Sequence, residues 1–242
     1  ENCGKTKEIP WDARTLSPWT VAIFVRKNLR SPFRYFLTGT IGCPTTVMTT
    51  FGGSYGQPSY KNTSRSYHIS SPSHFLVVAG IRSTDLNGTD EFSQMVNVSY
   101  ILPYNGNSNG SEEYHLVIFR LETRINLDTP YARSICQPYG VVPSLHALGY
   151  KGRYSDILKH ERNNEPTFIS GFDSPINEGG RRKIVRFSAT ASNDAGCLNT
   201  YKYYYRTEPD EIFCLVINHG EGASERTCMS HGSLKLFKPR AV

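Results

Sequence analysis

Short β-branched and aromatic runs, each closed off by Gly, Pro, Asn or Ser, restrict this chain to an all-β fold. Val21–Val25, Phe75–Val78, Met95–Ile101, His115–Leu121, Pro166–Ile169, Lys183–Phe187 and Ile212–Ile217 all have this character. No long segment keeps a helical period, apart from a short helix expected near Asp194–Lys202. Pro44-Thr45-Thr46, Gly53–Ser71 and Tyr104–Ser111 read as loops. A length of 242 residues is ample for two small antiparallel barrels with their own cores. Barrel closure would remove the exposed strand edges that an open sheet leaves.

Cysteines and sequons point to an oxidising compartment. The six cysteines are Cys3, Cys43, Cys136, Cys197, Cys214 and Cys228. Asn-x-Ser/Thr acceptors occur at Asn62, Asn87, Asn97 and Asn109, crowded into segments rich in Ser, Gly and Asn. Four such sites in loop-like sequence favour a secreted, extracellular protein carrying N-linked glycans. No stretch approaches eighteen apolar residues, so no membrane span is expected. Glu1 reads as the start of a mature or trimmed chain. The net charge of +6 is mildly basic. Without a Walker loop, dinucleotide fingerprint or zinc-finger spacing, nucleic acid is not indicated.

A series of segments in a fixed order carries a family resemblance. Ser17-Pro18-Trp19-Thr20-Val21 resembles a Pro-Trp-x-Val opening strand. Val47-Met48-Thr49-Thr50-Phe51-Gly52-Gly53 is similar to Val-Leu-Thr-Ala-Ala-His-Cys. His115-Leu116-Val117-Ile118-Phe119-Arg120-Leu121 is similar to Asp-Ile-Ala-Leu-Leu-Arg-Leu. Ile135-Cys136-Gln137-Pro138 resembles Ile-Cys-Leu-Pro, and Ile169-Ser170-Gly171-Phe172 resembles Val-Thr-Gly-Trp. Cys228-Met229-Ser230-His231-Gly232-Ser233-Leu234 resembles Cys-x-Gly-Asp-Ser-Gly-Gly-Pro-Leu. Together these resemble the trypsin/chymotrypsin-like serine proteases from about residue 9 to residue 242. The Asn2-Cys3-Gly4 opening is similar to a divergent trypsin-like group of nematodes.

The resemblance implies two six-stranded antiparallel Greek-key barrels. The implied layout is an N-terminal tether over 1–8, a first barrel over 9–135, a crossover linker over 136–149 and a second barrel over 150–242. The family's closing strands and C-terminal helix have no counterpart here, so that second barrel is expected to be incomplete at its C-terminal end. The resemblance also assigns the catalytic positions. Gly52 stands in place of the histidine base, His115 in place of the orienting carboxylate and Gly232 in place of the nucleophilic serine. Acyl transfer in this family needs a serine oxygen, an imidazole and a carboxylate, and none is supplied. The activation pair is degenerate too. Ile9 follows Glu8 and precedes Pro10, and His231 replaces the aspartate that would receive a new amino terminus. The implied bridges are Cys3–Cys136 and Cys197–Cys214, the first worth about 4–5 kcal/mol by chain entropy. Cys43 and Cys228 are left over: they pair together, stay free or bond to another chain.

The expected protein is therefore a catalytically inactive protease homologue, a pseudoprotease, acting in binding or regulation through protein contacts. A partner or neighbouring subunit is expected near the second barrel, where the Tyr201-Lys202-Tyr203-Tyr204-Tyr205-Arg206 cluster lies. One alternative is a structural subunit of an extracellular assembly. Another is an atypical hydrolase using Ser230 or Ser233. No cofactor is expected. No metal is expected either, since His68, His74, His115, His146, His160, His219 and His231 form no ligand pair of recognised spacing. Arg181-Arg182-Lys183 is either a solvated hairpin tip or a weak site for anionic glycans.

Overall fold

A computed structural model describes residues 3–51, 71–104, 115–135, 166–173, 181–192 and 214–217. The chain divides into two compact units. One is Glu1–Ile135 with Gly171–Val185, and the other is Cys136–Ser170 with Arg186–Val242. Phe172 and Ile184, which fall within the range expected for the second barrel, pack in a cluster with Ala22, Phe24, Leu76 and Val78 of the first unit.

Six strands build the first unit: β1 (Thr20–Val25), β2 (Arg34–Cys43), β3 (Thr46–Phe51), β4 (Phe75–Ala79), β5 (Gln94–Tyr104) and β6 (His115–Leu121). They close into an antiparallel barrel in the order β1-β2-β3-β6-β5-β4. Alternation puts Val21, Ile23, Ile41, Val47, Phe75, Val77, Val96, Val98, Val117 and Phe119 into one interior cluster. Each fully buried side chain of this size contributes about 1.5–3 kcal/mol. Within it the Phe75 and Phe119 rings lie 5.2 Å apart. Thr49 is buried among these residues, and its hydroxyl donates to the Thr38 carbonyl at 2.9 Å.

The barrel is too tight for a side chain at Gly39. A Cβ there would meet Val47 at 2.7 Å and Ile23 at 2.8 Å. On β5 a bulge between Val98 and Tyr100 adds one residue to the ladder. Val98 and Ile101 thereby both face inward, although three positions separate them.

The outer face of β1 and β4 is covered as well. Ala22, Phe24, Leu76 and Val78 form a second cluster with Ile81, Phe172 and Ile184. The segment carrying Ile184 is tied down by main-chain bonds, Thr84 N–H to the Arg182 carbonyl at 2.8 Å and Ile184 N–H to the Arg82 carbonyl at 3.0 Å. Beyond the barrel, β7 (Pro166–Asp173), β8 (Lys183–Ser192) and β9 (Cys214–Ile217) form a three-stranded sheet in that order. The linker over 136–149 and the helix expected near 194–202 lie outside the described residues.

Candidate functional site

The ladder between β3 and β6 places His115, one of the positions assigned by the resemblance, opposite Phe51. Its register runs from Thr46 opposite Arg120 to Phe51 opposite His115. Gly52 is the next residue along the chain after Phe51. Phe51 and His115, some sixty residues apart in sequence, thus meet in one ladder. A glycine carries no imidazole, and a histidine carries no negative charge to orient one. Gly52, Gly232, His231 and the serines Ser230 and Ser233 lie outside the described residues, as does the tyrosine cluster at 201–205.

The segment around Ile9 is anchored in the barrel unit by side-chain hydrogen bonds. The Ile9 N–H donates to Thr15 Oγ1 at 2.9 Å, and the Thr15 hydroxyl donates to the Asp12 carbonyl at 2.8 Å. Asp12 caps a 3-10 turn at Ala13–Leu16 by accepting from the Arg14 N–H. Arg14 is buried beneath this turn. Its Nε donates to Asp12 Oδ1 at 2.9 Å and its Nη2 to Asp12 Oδ2 at 2.6 Å. Nη1 donates to Asp90 Oδ2 at 2.9 Å and to the Gly80 carbonyl at 2.9 Å. The guanidinium also lies 4.3 Å from the centroid of Tyr131 and 5.6 Å from that of Phe92.

Charges in this cluster reinforce one another. The Arg14 hydrogen bond holds the Asp12 carboxyl below its usual range against the opposing effect of burial. Burial pushes Asp90 up, but the Ser93 hydroxyl and the Arg14 charge bring it net below the usual value. Burial likewise works against the Arg14 cation, and its two carboxylate partners outweigh that effect. The sequence reading did not find the Arg14 cluster, because Asp90 joins it from 76 positions away.

The basic turn is exposed, with Arg181 73% accessible, and two of its side chains also make contacts. Arg181 pairs with Asp85 at 3.1 Å, and the Arg182 guanidinium lies 5.2 Å from the Tyr35 ring centroid. Phe33, Arg34, Tyr35, Asp85, Asn87 and Arg182 line an open cavity of about 530 Å³ beside it.

Two of the four sequons fall on described residues. Asn87 is exposed on a 3-10 turn at Leu86–Gly88, with its N–H held by Asp85. Asn97 corrects the loop expectation: it lies on β5, exposed on the outward face. Strand pairing puts it opposite Leu76. Asn62 and Asn109 lie outside the described residues.

Cys3 is disulfide-bonded, and the neighbouring Gly4 N–H donates to the Ser134 carbonyl at 2.9 Å. Cys43 is a half-buried free thiol whose sulfur lies 3.7 Å from Thr45 Oγ1. Burial raises its pKa, but hydrogen bonds from Thr46 and Thr45 and the Arg120 charge bring it net below the ordinary thiol value. Cys214 opens β9 with its backbone paired to Ser192. Cys136, Cys197 and Cys228 lie outside the described residues. Among the described residues, no helix is long and apolar enough to cross a membrane.

No family model matches the sequence, and no curated protein does. Solved structures do match. The scabies mite inactivated protease paralogue S-D1 aligns with a TM-score of 0.51 at 16% identity, over 85% of this chain and 72% of that one. Granzyme C aligns with a TM-score of 0.51 at 12% identity, over 84% of this chain and 71% of that one. With the closed six-stranded barrel, these likenesses show that the chain has the all-β chymotrypsin-like fold.

Proposed function

We propose that this protein is a secreted, glycosylated and catalytically inactive homologue of the trypsin-like serine proteases that acts by binding. The observation that carries this reading is the pairing of Phe51 with His115. It supports the alignment of both segments at once, and the aligned residues are Gly52 and His115. With Gly232 at the nucleophile position, no group remains to attack a carbonyl, to take the proton or to orient the base. The sequence Glu8-Ile9-Pro10 and His231 at the activation positions fit the same reading, since an activation switch has no use in a protein without catalysis. A structural neighbour named as an inactivated protease is in keeping with it.

In this reading, loops that once selected substrates recognise a protein partner. The contact surface lies in the second unit, with the tyrosines of 201–205 as anchors. The bridges are Cys3–Cys136 and Cys197–Cys214; the Gly4–Ser134 main-chain bond, beside both ends of the first, supports that pairing. The test is fluorophosphonate labelling and peptide-ester turnover of the purified protein. Both are expected at background. Stoichiometric labelling of Ser230 or Ser233 would overturn the inactive assignment.

A further inference from the structure

We infer that an N-linked glycan on Asn97 is the permanent cover of an apolar strip on the outer face of β5. This rests on the secreted-glycoprotein reading and goes further by giving one sugar a structural task. The outward residues of β5 are Met95, Asn97, Tyr100 and Leu102, and the three apolar ones are 52%, 59% and 46% exposed. The bulge at Ser99 puts them on one face, because it restores the inward direction of Ile101. On the neighbouring strand β4, the outward Leu76 and Val78 are buried by the Phe172 and Ile184 cluster. Met95 pairs with Val78 and Asn97 with Leu76. The apolar outer surface therefore continues past the edge of its protein cover and onto β5. A contiguous strip of this kind is costly in water and invites association.

Asn97 stands in the middle of that strip and begins the acceptor Asn97-Val98-Ser99. A sugar attached there lies between Met95 on one side and Tyr100 on the other, and a pyranose ring can set its C–H face on the phenol. The linkage forms when the Asn97 amide nitrogen attacks the anomeric carbon of a lipid-linked oligosaccharide diphosphate. A C–N bond forms, the carbon–oxygen bond to phosphate breaks, the lipid diphosphate leaves and the amide gives up one proton. The other amide hydrogen stays available. Asn97 Nδ2 donates to Glu122 Oε2 at 3.1 Å, and the Glu122 N–H donates to the Asn97 carbonyl at 2.9 Å. That pair of bonds fixes the direction in which the first sugar leaves the strand.

The experiment uses the full chain secreted from a glycosylating host. Peptide mass spectrometry after amidase release in heavy water reads the occupancy of each sequon. Apolar-dye fluorescence and sedimentation velocity then compare the protein with Asn97→Gln, Asn87→Gln and an Asn97→Gln chain also carrying Met95→Ser, Tyr100→Ser and Leu102→Ser. Expected are full occupancy of Asn97, a several-fold rise in dye binding with self-association for Asn97→Gln, no such change for Asn87→Gln, and reversal in the combined variant. A bare Asn97 beside other occupied sequons overturns this inference and leaves the glycoprotein reading standing. An occupied Asn97 whose loss leaves dye binding unchanged also overturns it alone. Four bare sequons overturn both.

Discussion

Arg14 and Asp12, two residues apart in sequence, form a buried pair in which the guanidinium Nε and Nη2 both donate to one carboxylate, the closest contact at 2.6 Å. Both are inside the protein, with side-chain exposures of 1% and 7%. Breaking such a pair from one side leaves an uncompensated charge in a poorly solvating site. Arg14→Met should therefore destabilise the barrel unit by about 3–5 kcal/mol, since it strands Asp12 and exposes the inner side of Asp90 to lost attraction. Arg82 reaches the same carboxylate at 3.3 Å but is 64% exposed. Arg82→Gln should cost less than about 1 kcal/mol. Chemical denaturation of both variants checks the contrast, and equal losses would refute it.

The same cluster sets a direction for acid. Asp12 and Asp90 are both held below their ordinary values. A carboxylate depressed in the folded state contributes stability above its unfolded pKa of about 3.9, and that contribution is lost as pH falls through the folded value. Between pH 7 and about pH 5 the contribution should be constant. Below about pH 4 it should decline. In Arg14→Met these carboxylates lose the partner that depresses them. The stability difference between wild type and Arg14→Met should therefore narrow as pH falls below 4. A gap that widens on acidification would contradict the assignment.

Gly80 holds a left-handed conformation, φ +66°, and its carbonyl is the one that Arg14 uses. A Cβ on Gly80 would come within 2.7 Å of the Phe92 carbonyl oxygen, which is backbone and cannot swing away. Gly80→Ala adds a conformational cost of roughly 1–2 kcal/mol before that clash is counted. Gly88 is the matched control. Its Cβ would have Ser83 Oγ at 3.9 Å as the nearest atom, an ordinary contact. Thermal unfolding should show a clear loss for Gly80→Ala and almost none for Gly88→Ala.

Strands with unbroken β-branched runs were legible: Val21–Val25, Phe75–Val78 and His115–Leu121 fall on β1, β4 and β6. The run that became β2 was not singled out, because Gly39, Gly42 and alternating threonines dilute its apolar signal. Gly39 is there because the barrel interior has no room for a methyl group beside Val47 and Ile23. His115 was legible as the start of a strand, since the apolar run that follows it is distinctive, and it opens β6. Arg14 was not legible. An Asp-x-Arg spacing usually marks a solvated turn, and its burial depends on Asp90, Gly80 and Tyr131, which only the closed barrel brings near. The contact between Arg182 and Tyr35 was not legible for the same reason: the two lie far apart in sequence and close in space.

Cys43 supplies a prediction about reactivity that bears on covalent assembly. It ends β2, opposite Thr46 in the ladder, and is a free thiol. Its net pKa lies below the ordinary value, because hydrogen bonds from Thr46 and Thr45 and the charge of Arg120 outweigh burial. Since the thiolate is the reacting form, alkylation of Cys43 in the folded protein should reach its half-maximal rate at a lower pH than alkylation of a free cysteine peptide. Arg120→Gln removes a cation that favours the thiolate, so the midpoint should move upward. Restricted access lowers the plateau at every pH, whereas the desolvation that comes with burial moves the midpoint upward. Rates with a small uncharged alkylating reagent, measured from pH 6 to 10, separate the two effects. A wild-type midpoint above that of a free cysteine peptide would show that burial dominates. In that case Cys43 would be an inert packing residue with no part in covalent assembly.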